Sequence, residues 1–221
     1  MNCLRLALFD VDGVLLDSLT PHLSICEDKN QEYGLGLSIP TAPEFKKMVR
    51  RNKLVISPMK SFFTAVGFPD RVAEKANEQY QKVFMKRYTP APFPETHAVL
   101  NKLSKHLRLG IVSSNVRENV VEALGSNVDF FDRRCIFTKD SDTFSKSRAI
   151  SAALTTLQAR PSETIYVGDQ LADWEAANAA GVHFLGVAYG WGISEEDRDF
   201  PVAKRPGDVP ECILTWNCAP K

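Results

Sequence analysis

From about residue 93 onward, short apolar runs alternate with segments in which apolar residues recur every three or four positions. The segments THAVLNKLSKH and KSRAISAALTTLQA are typical of helices, and the apolar runs are typical of buried strands. Alternating strands and helices predict βαβ units and a parallel sheet. The predicted strand segments are LRLGIVSSN, RCIFTKD, ETIYVGD and VHFLGVAYG, with LRLALFD near the N-terminus as one more strand of the same sheet.

A different pattern runs from about Leu19 to Lys86, where no segment is typical of a strand. EFKKMVRR, PMKSFFTAV and VAEKANEQYQKVFMKRY are typical of helices with one apolar face. Prolines at positions 90, 92 and 94 then disfavour helix and predict a stiff return link. We therefore predict an α/β fold in which a Rossmann-like parallel sheet core, residues 1–17 and 88–221, carries a small helical cap domain, residues 18–87, inserted after the first strand.

Acidic and hydroxyl side chains follow three of the predicted strands at the point where each strand ends. Asp10 and Asp12 follow LRLALF, Ser113 and Ser114 follow LRLGIV, and Asp169 follows TIYVG. In open α/β sheets, ligands bind at this carboxyl edge. Several carboxylates gathered there would repel one another and lose hydration unless a cation lay between them. A set of oxygen ligands points to Mg²⁺ as that cation.

Four segments, in this order along the chain, resemble the four motifs of the haloacid dehalogenase-like superfamily. They are D-x-D-G-V-x-x-D-S at 10–18, Ser113, Lys146 and G-D-x-x-x-D at 168–173. A helical insert directly after the first motif is similar to that of phosphoglycolate phosphatase-like enzymes and β-phosphoglucomutases. The sequence departs from the family pattern at KSRA, where many members have Lys-Pro-x-Pro, and at Gln170, where Ser or Thr is frequent. Neither departure removes a needed functional group.

The resemblance implies an Mg²⁺-dependent phosphohydrolase that cleaves small phosphate monoesters through an aspartyl-phosphate. Asp10 would be the nucleophile, and Asp12 would be the general acid and then the general base. Lys146 would balance the charge of Asp10 and of the phosphoryl group. Lys139 is a competitor for this role, but it follows a strand, whereas Lys146 begins a helix as the family pattern requires.

The same resemblance implies the ligands of the metal and of the phosphoryl group. Mg²⁺ would be held by Asp10, by Asp12 through its backbone carbonyl, by Asp169 and by Asp173. Asp173 would act through water or by orienting Lys146. Phosphoryl oxygens would be bound by Ser113 and by the backbone amides of Ser114 and Asn115 at a helix start. Gly13 would let the chain turn sharply beside the phosphate.

The predicted cap contains the residues that bear on the substrate. EFKKMVRRNK has five basic side chains, with Phe45 and Val49 on its expected buried side. The ordinary interpretation is a solvated helix face, and the alternative is that Arg50 or Arg51 binds a second anionic group of the substrate. His22 resembles in position a cap-hinge histidine of β-phosphoglucomutases, and a surface or capping histidine is the alternative.

Two further groups of residues are interpreted as structural. Asp17 and Ser18 would cap the first helix of the predicted cap, because Ser is a favoured residue at that position. Tyr189 and Trp191, in AYGWG, would close the edge of the sheet. We therefore leave these four residues out of the candidate site.

Charge and cysteine content limit the classes of binding partner and the cellular compartment that we expect. With 27 basic and 27 acidic side chains, the chain has no overall field that would attract nucleic acid or a membrane surface. Its five cysteines are widely spaced without a CxxC pair, which favours reduced thiols. Arg5 and Asp10 interrupt the apolar N-terminal stretch, so no signal peptide or membrane span is predicted. We expect a cytoplasmic protein that binds a small phosphorylated metabolite, and we predict no oligomeric state.

Two alternative functions stay open. A phosphomutase of the β-phosphoglucomutase type would form the same aspartyl-phosphate but return the phosphoryl group to a sugar. A non-catalytic binding module on the same fold is less favoured, because a pure binder would have no need for a cluster of charges that is costly to bury.

Overall fold

The computed structural model describes residues 4–139, 144–197 and 199–216, with the backbone alone over residues 81–87. The chain divides into two compact units, one comprising Ser18–Pro90 and the other comprising the segments on either side of it. The sequence predicted the return to the core at residue 88, and the division falls at Ala91.

The residues that the structure describes form eight strands. They are β1 (Leu6–Phe9), β2 (Leu16–Asp17), β3 (Ala91–Pro92), β4 (Arg108–Val112), β5 (Ile136–Phe137), β6 (Thr164–Gly168), β7 (His183–Val187) and β8 (Val202–Ala203). Six of them make one sheet in the order β5-β4-β1-β6-β7-β8, and each neighbouring pair is parallel. The predicted α/β fold with a parallel sheet is thus confirmed, whereas the two-residue strand β8 was not predicted.

Nine α-helices lie in the described part of the chain. They are α1 (Leu19–Tyr33), α2 (Ala42–Asn52), α3 (Met59–Val66) and α4 (Asp70–Arg87) in the smaller unit, followed by α5 (Thr96–Ser104), α6 (Arg117–Leu124), α7 (Lys146–Leu157), α8 (Leu171–Ala179) and α9 (Val209–Leu214) in the larger unit. None of the helices described is both long and apolar enough to cross a membrane.

The centre of the sheet is a closely packed frame. All four residues of β1 are buried, as a continuous apolar run predicts. α7 buries Ile150, Ala153 and Leu157, at three- and four-residue spacing, in one cluster with Leu6 and Tyr166 of the sheet. A large apolar side chain buried in this way contributes roughly 1.5–3 kcal/mol. The ends of β1 and α7 are therefore held in place by the core.

The order of the strands determines where a ligand site can form. The chain runs from β1 to β4 and β5 on one side, and it returns to β6, β7 and β8 on the other side of β1. The direction of winding thus reverses at β1, and in open parallel sheets a crevice forms at the carboxyl ends of the strands at such a point. β1 lies between β4 and β6 and pairs with both, so residues that follow these three strands meet at one edge.

The chain leaves and re-enters the larger unit through a two-stranded ladder that the sequence did not predict. β2 pairs antiparallel with β3, with Leu16 opposite Pro92 and Asp17 opposite Ala91. Asp17 is thus a strand residue and not a helix cap. Ser18 does precede α1, but its side chain makes no capping bond, because its backbone is helical (φ −96°, ψ −7°) and a capping hydroxyl needs an extended backbone.

The smaller unit is described by its own helices. In α2, Phe45 and Val49 are buried, as predicted, while Arg51 is exposed and Arg50 is half-buried. Thr41 and Glu44 form a capping box at the start of this helix. α2 is therefore a well-defined amphipathic helix with a basic outer side.

Candidate functional site

Lys146 lies between two buried carboxylates at the carboxyl edge of the sheet. Its Nζ is 2.5 Å from Asp10 Oδ2 and 2.5 Å from Asp173 Oδ1. Asp10 directly follows β1, and its backbone N–H donates to Val167 O at 2.9 Å, which fixes it against β6. Lys146 is the first residue of α7, where the helix dipole disfavours a cation. The two carboxylates offset that cost and raise the pKa of Lys146 well above its usual value, although burial acts in the opposite direction.

The carboxylate of Asp10 is held at both oxygens. Oδ1 accepts a hydrogen bond from Val11 N at 2.7 Å, and Oδ2 accepts one from Lys146. Burial raises the pKa of Asp10 from 3.8 to about 6, with a further increase from Asp173, although Lys146 lowers it. Asp10 is consequently a buried anion near neutral pH whose charge depends on one lysine.

Asp169 follows β6 and is fully buried. Its Oδ2 accepts a hydrogen bond from Trp191 N at 2.7 Å, while its Oδ1 has no hydrogen-bond partner among the described residues. Burial and the charges of Asp173 and Asp10 raise the pKa of Asp169 well above its ordinary value. One oxygen of a buried carboxylate is thus available to a cation.

Three carboxylates converge closely enough to hold a metal ion. Asp10, Asp169 and Asp173 each offer one oxygen, and these oxygens lie within 4.8 Å of one another. The donors are all oxygens, and Asp169 Oδ1 is buried without a partner in the described part of the chain, so the group fits a hard divalent cation. The side chain of Asp12 does not join this group, and its contact with a metal through the backbone carbonyl stays a prediction.

Asp173 has contacts that organise the start of α8. Besides binding Lys146 through Oδ1, it accepts hydrogen bonds at Oδ2 from the backbone N–H groups of Asp169 and Gln170, each at 3.1 Å. Asp173 therefore contacts Lys146, and its role in orienting that lysine stays a prediction.

Asp12 and the segment after β4 meet on the other side of β1. Asn115 Nδ2 donates to Asp12 Oδ2 at 3.0 Å, a contact that the sequence did not predict. Ser113 is buried, and its Oγ accepts a hydrogen bond from the backbone N–H of Asn115 at 3.2 Å. The predicted role of this N–H in phosphate binding would therefore require that bond to be exchanged. Ser114 is half-buried beside them.

Gly13 and Gly190 both approach Asp169 closely. Gly13 has φ +78°, and a Cβ there would lie 2.2 Å from Asp169 Oδ2. A Cβ on Gly190 would lie 2.3 Å from Asp169 Cβ. Only glycine fits at such a distance, so these two backbones form a close cradle for the carboxylate.

The loop after β7 is the part of the site that the sequence interpretation missed. Trp191, predicted to close the sheet edge, donates its backbone N–H to Asp169, and Tyr189 donates its hydroxyl to Val14 O at 3.1 Å. The signal was present, since AYGWG places two glycines directly after a strand at the same carboxyl edge.

The candidate residues of the smaller unit have contacts of their own. His22 is buried in α1, with Nδ1 2.5 Å from Ser18 O and Nε2 3.0 Å from Tyr80 Oη, so the alternative of a surface histidine was wrong. Its ring also contacts Phe62. The substrate-binding roles of His22, Arg50 and Arg51 stay predictions.

We expect Gly13→Ala to destabilise the protein more than a matched glycine substitution does. Gly34 has a similar positive φ of +60° with open space around it, so Gly34→Ala should lower the free energy of unfolding by about 1 kcal/mol of backbone strain. Gly13→Ala should cost a further ~1–3 kcal/mol, because the new methyl group displaces Asp169. Urea unfolding of both variants measures the difference, and equal losses would contradict the close contact.

Asp10 should make the metal-free protein less stable as the pH rises. Between the ordinary pKa of 3.8 and the native value of about 6, the unfolded state has released a proton that the native state still holds. Stability due to this group therefore falls with rising pH, by about 3 kcal/mol over that window. Asp10→Asn cannot ionise and should lack this component. Urea unfolding at pH 4 to 7.5 with a chelator measures it, and a pH-independent difference between the two proteins would contradict it.

Known proteins resemble this chain over most of its length. The family of haloacid dehalogenase-like hydrolases matches residues 7–187. The chain is 26% identical to a phosphoglycolate phosphatase from Aquifex aeolicus, over 93% of this chain and 95% of the relative. It is 33% identical to pyrophosphatase PpaX from Anoxybacillus flavithermus, over 60% of this chain and 63% of the relative.

The fold is similar to that of a haloacid dehalogenase-like hydrolase from Streptococcus pneumoniae, with a TM-score of 0.76 at 23% identity over 95% of this chain and 98% of that one. The family match begins in β1 and ends with β7, so it includes the strand ends that carry the acidic cluster. The chain therefore belongs to the haloacid dehalogenase-like hydrolases, as a phosphatase.

Proposed function

We propose that this phosphatase hydrolyses small phosphate monoesters with the help of Mg²⁺, through an aspartyl-phosphate formed on Asp10. The observation that carries the proposal is the shared ammonium group of Lys146, which lies between Asp10 and Asp173 beside the partly unpaired carboxylate of Asp169. A binding module would have no use for a carboxylate that is buried, ionised near neutral pH and paired with a single cation.

In the first chemical step, Asp10 attacks the phosphorus of the ester. A bond forms between a carboxylate oxygen and phosphorus, and the bond between phosphorus and the leaving oxygen breaks. The leaving oxygen keeps the electron pair and takes a proton from Asp12, so the alcohol departs neutral. Lys146 keeps Asp10 ionised before the attack.

In the second step, water attacks the aspartyl-phosphate. Asp12 removes a proton from the water, the new oxygen–phosphorus bond forms, and the bond to Asp10 breaks. Inorganic phosphate leaves, and the carboxylate of Asp10 is restored. Mg²⁺ held by Asp10, Asp169 and Asp173 would supply positive charge next to the phosphoryl oxygens. Ser113, with the backbone amides beside it, would donate hydrogen bonds to the same oxygens.

The names of the relatives suggest which substrates to test. The relative from Aquifex aeolicus is named phosphoglycolate phosphatase, so phosphoglycolate is the first substrate to test. Its carboxylate is the kind of second anionic group that the predicted roles of Arg50 and Arg51 require. Pyrophosphate belongs in the same panel because the relative from Anoxybacillus flavithermus is named a pyrophosphatase.

Asp10→Asn should abolish phosphate release. We expect the native protein to release phosphate from at least one member of a panel of phosphoglycolate, sugar phosphates and pyrophosphate, with Mg²⁺ present and not with a chelator. Asp10→Asn should lower kcat by at least about a thousandfold, because an amide is a poor nucleophile. Asp17→Asn, the same change at an exposed position of the same segment, is the matched control.

Turnover that survives in Asp10→Asn would rule out this nucleophile. Conversion of a sugar 1-phosphate to its 6-phosphate isomer, with little free phosphate, would instead identify the phosphomutase alternative. Activity that does not change between chelator and added Mg²⁺ would remove the metal from the proposal.

Lys146→Met should lower kcat by about 10²–10³-fold, because it removes a cation next to the nucleophile and the transferring group. Lys139→Met, a change of the same size after β5, should leave kcat within about threefold of the native value, since catalysis by a single charged group depends on its position beside the reacting atoms. Steady-state kinetics of both variants, after circular dichroism shows that they are folded, would make this comparison. A large loss in Lys139→Met with a normal rate in Lys146→Met would reverse the assignment.

A further inference from the structure

The two oxygens of the Asp12 carboxylate have different surroundings. Oδ2 accepts a hydrogen bond from Asn115 Nδ2 at 3.0 Å. Oδ1 is buried and has no hydrogen-bond partner among the residues that the structure describes. One oxygen is thus held by a donor, while the other is available for an exchangeable proton.

The side-chain amide of Asn115 is itself held in a single orientation. Its Oδ1 accepts hydrogen bonds from the backbone N–H of Val116 at 2.8 Å and from Asn119 Nδ2 at 3.1 Å. A backbone N–H can only donate, so the amide end that faces Val116 has to be the carbonyl oxygen. The NH₂ end therefore faces Asp12, and Asn119, on α6, secures this orientation.

We propose that Asn115 is a positioning residue that selects Oδ1 of Asp12 as the oxygen that carries the transferable proton. This inference rests on the proposed role of Asp12 as general acid. A proton on Oδ2 would point against the N–H of Asn115, so the acid form of Asp12 carries its proton on Oδ1.

The same hydrogen bond favours the products of the first step. When the bond between phosphorus and the leaving oxygen breaks, the electron pair stays on that oxygen, and the proton of Asp12 Oδ1 moves to it. The negative charge left on Asp12 is stabilised at Oδ2 by the N–H of Asn115, since hydrogen bonds to a charged acceptor are the stronger ones. Asn119 acts one step further away, through the orientation of the amide.

We expect the loss of kcat/KM in Asn115→Ala to depend on the leaving group of the ester. p-Nitrophenyl phosphate has a leaving group that needs no proton, whereas phosphate esters of simple alcohols have one that does. In Asn115→Ala, kcat/KM for alkyl phosphates should fall about a hundredfold, and for p-nitrophenyl phosphate by less than about threefold. Asn119→Ala should give the same pattern with smaller losses. Glu118→Ala, at an exposed position of the same helix, should leave the whole series unchanged.

Measurement of kcat/KM over a series of aryl and alkyl phosphates, for the native protein, these three variants and Asp12→Ala, tests the inference. A steeper dependence on leaving-group basicity in Asn115→Ala and Asn119→Ala supports it. Two outcomes would overturn the role of Asn115 alone. One is an equal loss of kcat/KM for all esters in Asn115→Ala, and the other is a native dependence on leaving-group basicity in Asn115→Ala while that of Asp12→Ala is steep. A native slope in Asp12→Ala would instead overturn the proposed role of Asp12.

Discussion

The arrangement of the site depends on one ammonium group shared by two buried carboxylates. Lys146 bonds Asp10 and Asp173, which are far apart in sequence and come from different elements. Removing one member of such a group leaves an uncompensated buried charge, which costs roughly 3–5 kcal/mol. The start of α7, the end of β1 and the start of α8 are therefore held to one another by charge as well as by the apolar core.

Around this cluster, Asp12 and Asp169 share a second feature, which is a carboxylate held at one oxygen only. Asp12 is held by Asn115 and Asp169 by Trp191, and in each case Oδ1 lacks a hydrogen-bond partner within the described part of the chain. Burying an oxygen in this state is costly for folding alone. The proposed function would account for this cost. Asp12 Oδ1 would exchange a proton with the substrate and Asp169 Oδ1 would face the metal, so each oxygen would gain its partner when substrate and cation bind.

The sequence predicted the strands that position the site, but not the hydrogen bonds between loops that surround it. Hydrophobic patterning located β1, β4 and β6, and the polar residues at their ends meet as expected because parallel strands align these ends. The bond from Asn115 to Asp12 spans 103 positions, and that from Trp191 to Asp169 joins two loops. Such contacts depend on loop backbone paths that no local periodicity encodes. The β2–β3 ladder escaped prediction because two residues are too few to form a pattern.

Three locally unfavourable features meet at the same edge of the sheet. A lysine begins α7 against the helix dipole, the backbone of Gly13 approaches Asp169 so closely that a Cβ would lie 2.2 Å from Oδ2, and Asp10 has a raised pKa. Away from this edge, the buried apolar faces of the sheet and α7 follow the ordinary rules of packing. Consistent sequences tend to break such rules where function requires it. The stability that the site costs is therefore supplied by the core beneath it, and a cation that binds only the native state would restore part of it.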